Sequence, residues 1–149
     1  MGNVKMSKVI KQLSITLEKH ANILMKSKDI TSTQGVVLLR IKESEDATTY
    51  IKDLEHCFQT AQSTMYGIIG RLETKGLITS SIDEKKNKVV AITKDGETLV
   101  EFVKESLQMA ESEVFASLTD TEYAILSELM KKISETSIAR YFKDEVNND

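Results

Sequence analysis

The sequence STMYGIIGRLETKGLI, residues 63–78, combines a regular apolar stripe with two glycines that weaken a helix. Gly67 and Gly70 lie on one face, and each costs about 1 kcal/mol relative to alanine inside a helix. The apolar residues recur on the opposite face at the i, i+3, i+4 and i+7 spacing of an amphipathic helix. They are Met65, Ile68, Ile69 and Leu72. The pattern predicts a helix with a bare outer face, and the question is what approaches that face.

A short helix and a tight turn are predicted immediately before this stretch. Within residues 52–58, Leu54, Cys57 and Phe58 recur at helical spacing and are predicted to face inward. Residues 59–61 then turn the chain into the quoted helix. A short helix, a tight turn and a second amphipathic helix are the parts of a helix-turn-helix.

A β-hairpin is predicted directly after the quoted helix. Gly76 follows Lys75 in the position of a glycine that ends a helix. Two strand-like runs, 77–82 and 88–92, are joined by the charged sequence Asp83–Asn87. A hairpin at this place is the wing of a winged helix-turn-helix, in which the second helix enters the major groove of DNA.

Long helices are predicted on both sides of this lobe. Apolar residues recur at helical spacing through residues 6–26, and the chain has no proline to interrupt a helix. Capping boxes open two later helices, and their residue pairs are Thr31 with Gln34 and Thr119 with Glu122. The predicted fold class is mostly α with a small β-hairpin (α+β), with about six helices in one domain.

Composition argues against several other classes of protein. At 40% hydrophobic and 29% charged, the 149-residue chain has the balance of a soluble globular protein, and no apolar run approaches the roughly 18 residues of a membrane span. Residues 1–7 are polar, so no signal peptide is expected, and the single cysteine fits a cytoplasmic protein. There is no P-loop, HExxH, GxSxG or dinucleotide-binding motif, and there are only two histidines. We expect no enzyme activity, no cofactor and no metal site.

Positive charge is concentrated in the predicted helix-turn-helix and hairpin. Between Gln59 and Lys94, six basic residues stand against three acidic ones, whereas the whole chain has a net charge of −3. The basic residues lie at the end of the second helix and around the hairpin, where a wing meets phosphates. Double-stranded DNA is therefore the expected partner.

The predicted DNA contacts lie on the outer face of the quoted helix and on the wing. Gln62, Ser63 and Tyr66 are the candidates for base contacts, because glutamine bonds adenine bidentately and serine can donate or accept. Arg71 is assigned either to a phosphate or to an ion pair with a wing acid such as Asp83. The other candidates are Thr60 and Thr64 for a helix cap or a phosphate, Gly67 for close backbone approach, and Lys85, Lys86 and Lys88 for phosphates or the minor groove.

These motifs resemble the MarR (multiple antibiotic resistance regulator) family of winged-helix transcription factors over almost the whole chain. Their order and spacing, rather than any one motif, make the resemblance specific. The similar segments are Ile30-Thr31-x-x-Gln34, Ser63-Thr64-Met65 leading to Arg71-Leu72-Glu73-x-Lys75-Gly76-Leu77-Ile78, the wing end Ile92-Thr93-Lys94-Asp95-Gly96, and Leu118-Thr119-x-x-Glu122.

The resemblance implies a homodimeric regulator, usually a repressor, that binds a pseudo-palindromic operator and responds to a small aromatic effector. It assigns residues 30–93 to the winged DNA-binding lobe and residues 4–28 and 94–143 to dimerisation helices, all within the single domain 1–149. The wing departs from the family, which commonly has Asp-x-Arg where this chain has Glu84-Lys85-Lys86. Lysine lacks the planar fork of arginine, so weaker reading of the minor groove is expected.

A winged-helix module that has lost DNA binding and acts through protein contacts is the alternative function. Its support is the acidic net charge and the absence of a basic residue in the quoted helix before Arg71. The family often has such a residue near the middle of this helix, where Gly67 stands here. The two functions predict different results when the protein selects from a pool of random duplexes. A DNA-binding regulator enriches one sequence, whereas a protein-interaction module enriches none.

Overall fold

The computed structural model describes residues 4–140, and within this range the chain forms six α-helices and three strands. The helices are α1 (Met6–Met25), α2 (Ser32–Glu43), α3 (Ile51–Phe58), α4 (Gln62–Thr74), α5 (Lys94–Val114) and α6 (Asp120–Ile133). The strands are β1 (Thr48–Tyr50), β2 (Ile78–Ile82) and β3 (Lys88–Ile92). The predicted α+β class is confirmed. Residues 141–143 of the predicted C-terminal dimerisation segment lie outside the described range.

The chain divides into two compact units, Met1–Glu111 and Ser112–Asp149. The first unit contains α1 to α4, the strands and most of α5. The second contains α6, followed by the π-helical turn Ser134–Ile138. No helix among residues 4–140 is both long enough and apolar enough to cross a membrane.

Both predicted capping boxes are present. Thr31 Oγ1 accepts a hydrogen bond from Gln34 N at 3.2 Å, and Gln34 Oε1 accepts one from Thr31 N at 3.3 Å. Thr119 and Glu122 form the same reciprocal pair, at 3.2 and 3.0 Å. Because these bonds satisfy backbone donors that a helix start leaves without partners, they fix where α2 and α6 begin.

The apolar stripe of α4 is buried, as its spacing predicts. Met65 and Leu72 have no exposed area, and Ile68 and Ile69 are 6% and 4% exposed. Burial of a side chain of this size stabilises a fold by about 1.5–3 kcal/mol, which exceeds the penalty of the two glycines. The stripe joins a core cluster that also includes Val37, Leu38, Ile41, Ile78, Val90, Val100 and Val103.

The three strands form an antiparallel sheet with β3 in the centre. Ile78 pairs with Ile92 and Ile82 with Lys88, so β2 and β3 are the predicted wing hairpin. Strand β1 pairs with the other edge of β3, with Thr49 opposite Val90. Since β1 runs directly into α3, the sheet fixes the start of the helix-turn-helix relative to the wing.

The C-terminal end of α4 is held by a network of backbone and side-chain bonds. Gly76 has φ of 72°, and its N–H donates to Glu73 O at 2.9 Å while Leu77 N donates to Leu72 O at 3.0 Å. This is a Schellman motif, which requires the left-handed residue that glycine provides. The Thr93 hydroxyl then donates to Gly76 O at 2.7 Å, which ties the helix end to the start of α5.

Lys75, next to this motif, joins α4 to the connection between α1 and α2. Its Nζ donates to the carbonyl oxygen of Asp29 and to Gln34 Oε1, the latter at 3.3 Å, and lies 3.9 Å from Asp29 Oδ2. In the same connection, Ser32 N donates to Asn22 Oδ1 at 2.7 Å. The orientation of α4 is therefore fixed from its C-terminal end.

Cys57 is exposed, and the prediction that it faces inward is wrong. Helix α3 has only eight residues, and Ile51, Leu54 and Phe58 occupy its inner face. At 100° per residue, Cys57 lies outside the arc that these three side chains define. Leu54 is buried and Phe58 packs against the core, as predicted.

Candidate nucleic-acid interface

Helix α4 begins without a side-chain cap. Ala61 is the N-cap residue and makes no side-chain hydrogen bond, and the first bond of the helix runs from Met65 N to Ala61 O at 3.1 Å. The N–H groups of Gln62, Ser63 and Thr64 therefore have no acceptor among the described residues. Free donors at the positive end of a helix dipole suit an anion such as a phosphate group.

Thr60 does not cap α4, and that part of its predicted role is wrong. Its Oγ1 is buried and has no hydrogen-bond partner among residues 4–140. The reason lies in the turn, where Gln59 adopts a left-handed conformation with φ of 50° and Thr60 N donates to Glu55 O at 3.1 Å. The helix consequently begins one residue later than a Thr60 cap requires.

The outer face of α4 is open. An added Cβ at Gly67 or Gly70 would meet no heavy atom within 4 Å, so internal packing does not require either glycine. Arg71 is exposed on the same helix, and within the described residues it makes no ion pair with Asp83. The predicted contacts Gln62, Ser63 and Thr64 are all exposed.

Tyr66 links α4 to the wing. Its half-buried ring lies under the ammonium group of Lys88, with Nζ 4.7 Å from the ring centroid. A cation at this distance from an aromatic face is attracted by the ring quadrupole. The contact restrains two predicted DNA-binding side chains that come from different elements.

A cavity of about 430 Å³ lies between α3, α4 and the wing. Four of the predicted contact residues line it, namely Gln62, Tyr66, Lys86 and Lys88. Lys52 also lines it, and it was missed because it lies in the first turn of α3, outside the basic segment. In the helical pattern, Lys52 lies on the side of α3 that faces away from Leu54. That position is the signal that would have identified Lys52 from the sequence. Thr60, Ser63, Thr64, Gly67, Arg71 and Lys85 are not part of this lining.

The wing turn is organised by Asp83. Its Oδ1 accepts hydrogen bonds from Lys85 N at 2.9 Å and Asn87 N at 2.8 Å. The Asn87 N–H is the main reason that the pKa of Asp83 lies below its ordinary value, and the Tyr50 hydroxyl acts in the same direction. Conversely, the Asp83 carboxylate raises the pKa of Tyr50. Both groups are at the surface, so these shifts describe local geometry rather than a large stabilisation.

These elements define a winged helix-turn-helix, a class of DNA-binding domain found in transcription regulators. They are a short helix, a turn, a second helix without an N-terminal side-chain cap, and a basic hairpin. Residues 30–90 match the model of the MarR family. This segment is therefore similar to MarR-family domains, and the resemblance drawn from the sequence is confirmed over these residues.

Solved structures of other proteins have a similar fold along nearly the whole chain. A crystal structure of MarR aligns with a TM-score of 0.86 and 16% identity over 96% of this chain and 97% of that one. The transcriptional regulator SlyA aligns with a TM-score of 0.78 and 19% identity, covering 94% and 98%. A mutant MarR from E.coli complexed with operator DNA aligns with a TM-score of 0.75 and 22% identity, covering 87% and 94%.

Proposed function

We propose that this chain regulates transcription by binding double-stranded DNA in a sequence-specific manner. The main support for the proposal is that the first turn of α4 and the wing lysines lie on the same surface. There they border the cavity that Gln62, Tyr66, Lys86 and Lys88 line. Support also comes from the fold shared with the E.coli MarR mutant that is complexed with operator DNA. In this proposal α4 enters the major groove and the wing lies near the minor groove.

Base reading is assigned to the N-terminal half of α4. Gln62 and Ser63 are exposed there and carry the donors and acceptors that base edges require. The free N–H groups of the same turn bind a phosphate, which holds the helix in register with the bases. Gly67 adds no side chain between the helix and the groove, so the backbone can approach closely.

Sequence-independent affinity is assigned to the basic side chains around the groove. Lys85 and Lys86 are exposed at the wing turn, and Lys52 extends the positive surface onto α3. Each phosphate neutralised by a lysine releases counterions, so binding weakens as salt rises. Asp53 and Glu55 line the same cavity and keep the surface from being uniformly basic.

The binding test compares two kinds of variant on a set of duplexes of different sequence and at several salt concentrations. Lys86→Ala is expected to weaken binding to all sequences and to reduce the slope of log affinity against log salt by about 1. Gln62→Ala and Ser63→Ala are expected to alter which sequences bind best. Lys11→Ala, at an exposed position on α1, is the matched control and should change neither property. Unchanged duplex affinity in all of these variants would exclude the proposal.

A homodimer is the proposed active form, with repression as its usual outcome. Helix α1 exposes Met6, Ile10, Ile15 and Ile23, and the second unit exposes Tyr123, Ile125, Leu129, Met130 and Ile133. Apolar side chains at this density on helices favour association with a second copy. Two-fold symmetry in the protein then requires a pseudo-palindromic operator, and a bound dimer blocks polymerase.

Light scattering tests the dimer. Leu129→Lys places a charge in the exposed apolar set and is expected to shift the protein toward the monomer and weaken operator binding. Glu128→Lys introduces the same side chain one residue away, outside that set, and should leave the mass unchanged. A wild-type protein that stays monomeric at micromolar concentration would contradict this part of the proposal.

A second cavity, of about 640 Å³, is the proposed effector site. It lies between α1, α2, α5 and the end of α3, and its volume is typical of a small-molecule pocket. Its apolar lining consists of Leu17, Ala21, Val36, Phe58, Leu107 and Ala110. Phe58 suits an aromatic ligand and is also the last residue of α3, so a ligand against it acts on the turn that leads to α4.

The charge of this lining selects among aromatic ligands. Glu18 and Glu111 contribute carboxylates, and the lining residues include no lysine, arginine or histidine. A ligand with its own carboxylate is repelled, whereas a neutral or cationic one is accepted. In thermal unfolding, phenol and benzylamine should raise the melting temperature more than benzoate does at equal concentration. Stabilisation by benzoate above the other two would contradict this assignment, and Phe58→Ala should abolish the effect.

A further inference from the structure

The wing turn contains an unusual backbone conformation. Lys86 has φ of 66°, in the left-handed region that residues with a side chain rarely adopt. Its N–H donates to Asp83 O at 3.0 Å, and Asp83 N donates to Asn87 O at 3.0 Å. These two backbone bonds close the turn but leave the N–H groups of Lys85 and Asn87 to be satisfied by something else.

The Asp83 carboxylate satisfies both groups. One oxygen, Oδ1, accepts from Lys85 N and from Asn87 N, on either side of the left-handed residue. The Tyr50 hydroxyl approaches the same carboxylate from the end of β1. Tyr50 pairs with Val89 of β3, so this contact attaches the turn to the sheet.

We propose that Asp83 is a positioning residue for DNA binding, whose carboxylate holds the wing turn in the conformation that presents Lys85 and Lys86 to the duplex. The inference rests on the proposed DNA-binding function. Asp83 does not touch DNA in this account. It acts through the two lysines, and it does so although a carboxylate near phosphate groups is itself repelled.

The neighbouring residue Glu84 provides the contrast that makes the proposal testable. Glu84 carries the same charge in the same turn, is exposed, and accepts no hydrogen bond among the described residues. If charge alone mattered, removing either acid would tighten duplex binding. If the turn must be held, removing Asp83 weakens binding whereas removing Glu84 tightens it.

The experiment measures duplex affinity for Asp83→Ala, Asp83→Asn and Glu84→Ala by fluorescence anisotropy at fixed salt. Asp83→Ala is expected to bind roughly fivefold to tenfold more weakly than wild type. Asp83→Asn keeps an oxygen that can accept both N–H groups and loses the charge, so it should bind as tightly as wild type or tighter. Glu84→Ala should bind tighter. Urea unfolding of each variant verifies that the lobe remains folded.

A mutant cycle tests whether Asp83 acts through the two lysines. In a background that carries both Lys85→Ala and Lys86→Ala, Asp83→Ala should lose most of its effect on affinity, because the side chains that it positions are absent. A merely structural contribution of Asp83 would give the same loss in both backgrounds. Amide exchange at Asn87 should accelerate in Asp83→Ala and not in Asp83→Asn.

The outcomes separate this inference from the proposed function. If wild type binds duplexes but Asp83→Ala and Glu84→Ala tighten binding equally, the positioning role is overturned and the DNA-binding proposal stands. Equal losses in the two backgrounds of the cycle would also overturn it. If wild type binds no duplex at all, the proposed function fails, and the positioning role fails with it.

Discussion

The two ends of helix α4 are built in opposite ways. At the C-terminal end, Gly76 forms a Schellman motif, Thr93 bonds its carbonyl oxygen, and Lys75 reaches the connection before α2. At the N-terminal end, Ala61 provides no cap, and the outer face at Gly67 is bare. One end has its polar groups satisfied inside the protein, whereas the first N–H groups at the other end have no acceptor among residues 4–140.

This difference indicates how one helix can be both rigid and available for binding. A helix fixed only by its buried stripe can still rotate or slide, whereas bonds at one terminus define its direction and register. The free N–H groups at the other terminus can then meet a phosphate without first breaking internal bonds. Helix α2, by contrast, begins with a capping box that satisfies backbone donors inside the protein.

The largest predicted effect comes from the anchored end. Gly96, in the first turn of α5, packs against the carbonyl oxygen of Leu77, and a Cβ there would overlap that atom and approach Ile92 Cγ1 to 2.7 Å. Gly96→Ala should therefore destabilise the protein by about 2–3 kcal/mol in urea unfolding. Gly70→Ala, which meets open space, is the matched control and should not destabilise it. An unchanged unfolding midpoint in Gly96→Ala would show that this end is not tightly packed.

A smaller effect of opposite sign is predicted for the open face. Gly67→Ala should stabilise the protein by up to about 1 kcal/mol, because alanine is the better helix former and nothing clashes with it. The same change should weaken operator binding if the backbone approaches the groove at this residue. A variant that is more stable and binds as well as wild type would mean that Gly67 is only a poorly optimised surface position.

The smallest predicted effect concerns the missing cap. Ala61→Thr supplies a hydroxyl that can accept an N–H of the first turn, and it should raise stability by about 0.5 kcal/mol. It should also weaken duplex binding, because the hydroxyl competes with phosphate for the same donor. Ala61→Val has the same shape without the acceptor and should do neither. Equal affinities for the threonine and valine variants would argue that no phosphate binds at this helix start.

Local patterns were sufficient to predict most of the fold. The stripe of α4, the two capping boxes and the glycine at position 76 each follow from spacing or from a conformational requirement within a few residues. The wing hairpin was predicted from its turn and from its β-branched strands. The pairing of β1 with β3 joins residues about 40 positions apart, so local patterns could not predict it.

Some details of the short helix and the turn, and contacts between distant residues, were not predictable from these patterns. The direction of Cys57 depended on which neighbours filled the inner face of a very short helix, and the buried Thr60 hydroxyl depended on one left-handed residue in the turn. The bond between Lys75 and Gln34 joins residues that only the tertiary fold brings together. The spacing of charges also did not reveal that Asp83 bonds the backbone of its own turn, at Lys85 and Asn87, rather than Arg71.

The most direct test of the central claim is selection from a pool of random duplexes, carried out in parallel with wild type and with Ser63→Ala. The account predicts that wild type enriches one pseudo-palindromic sequence, and that Ser63→Ala enriches a sequence changed at symmetric positions in the two half-sites. Enrichment of no sequence by wild type, in a preparation that is folded and dimeric, would contradict the account and favour a winged-helix module that acts through protein contacts.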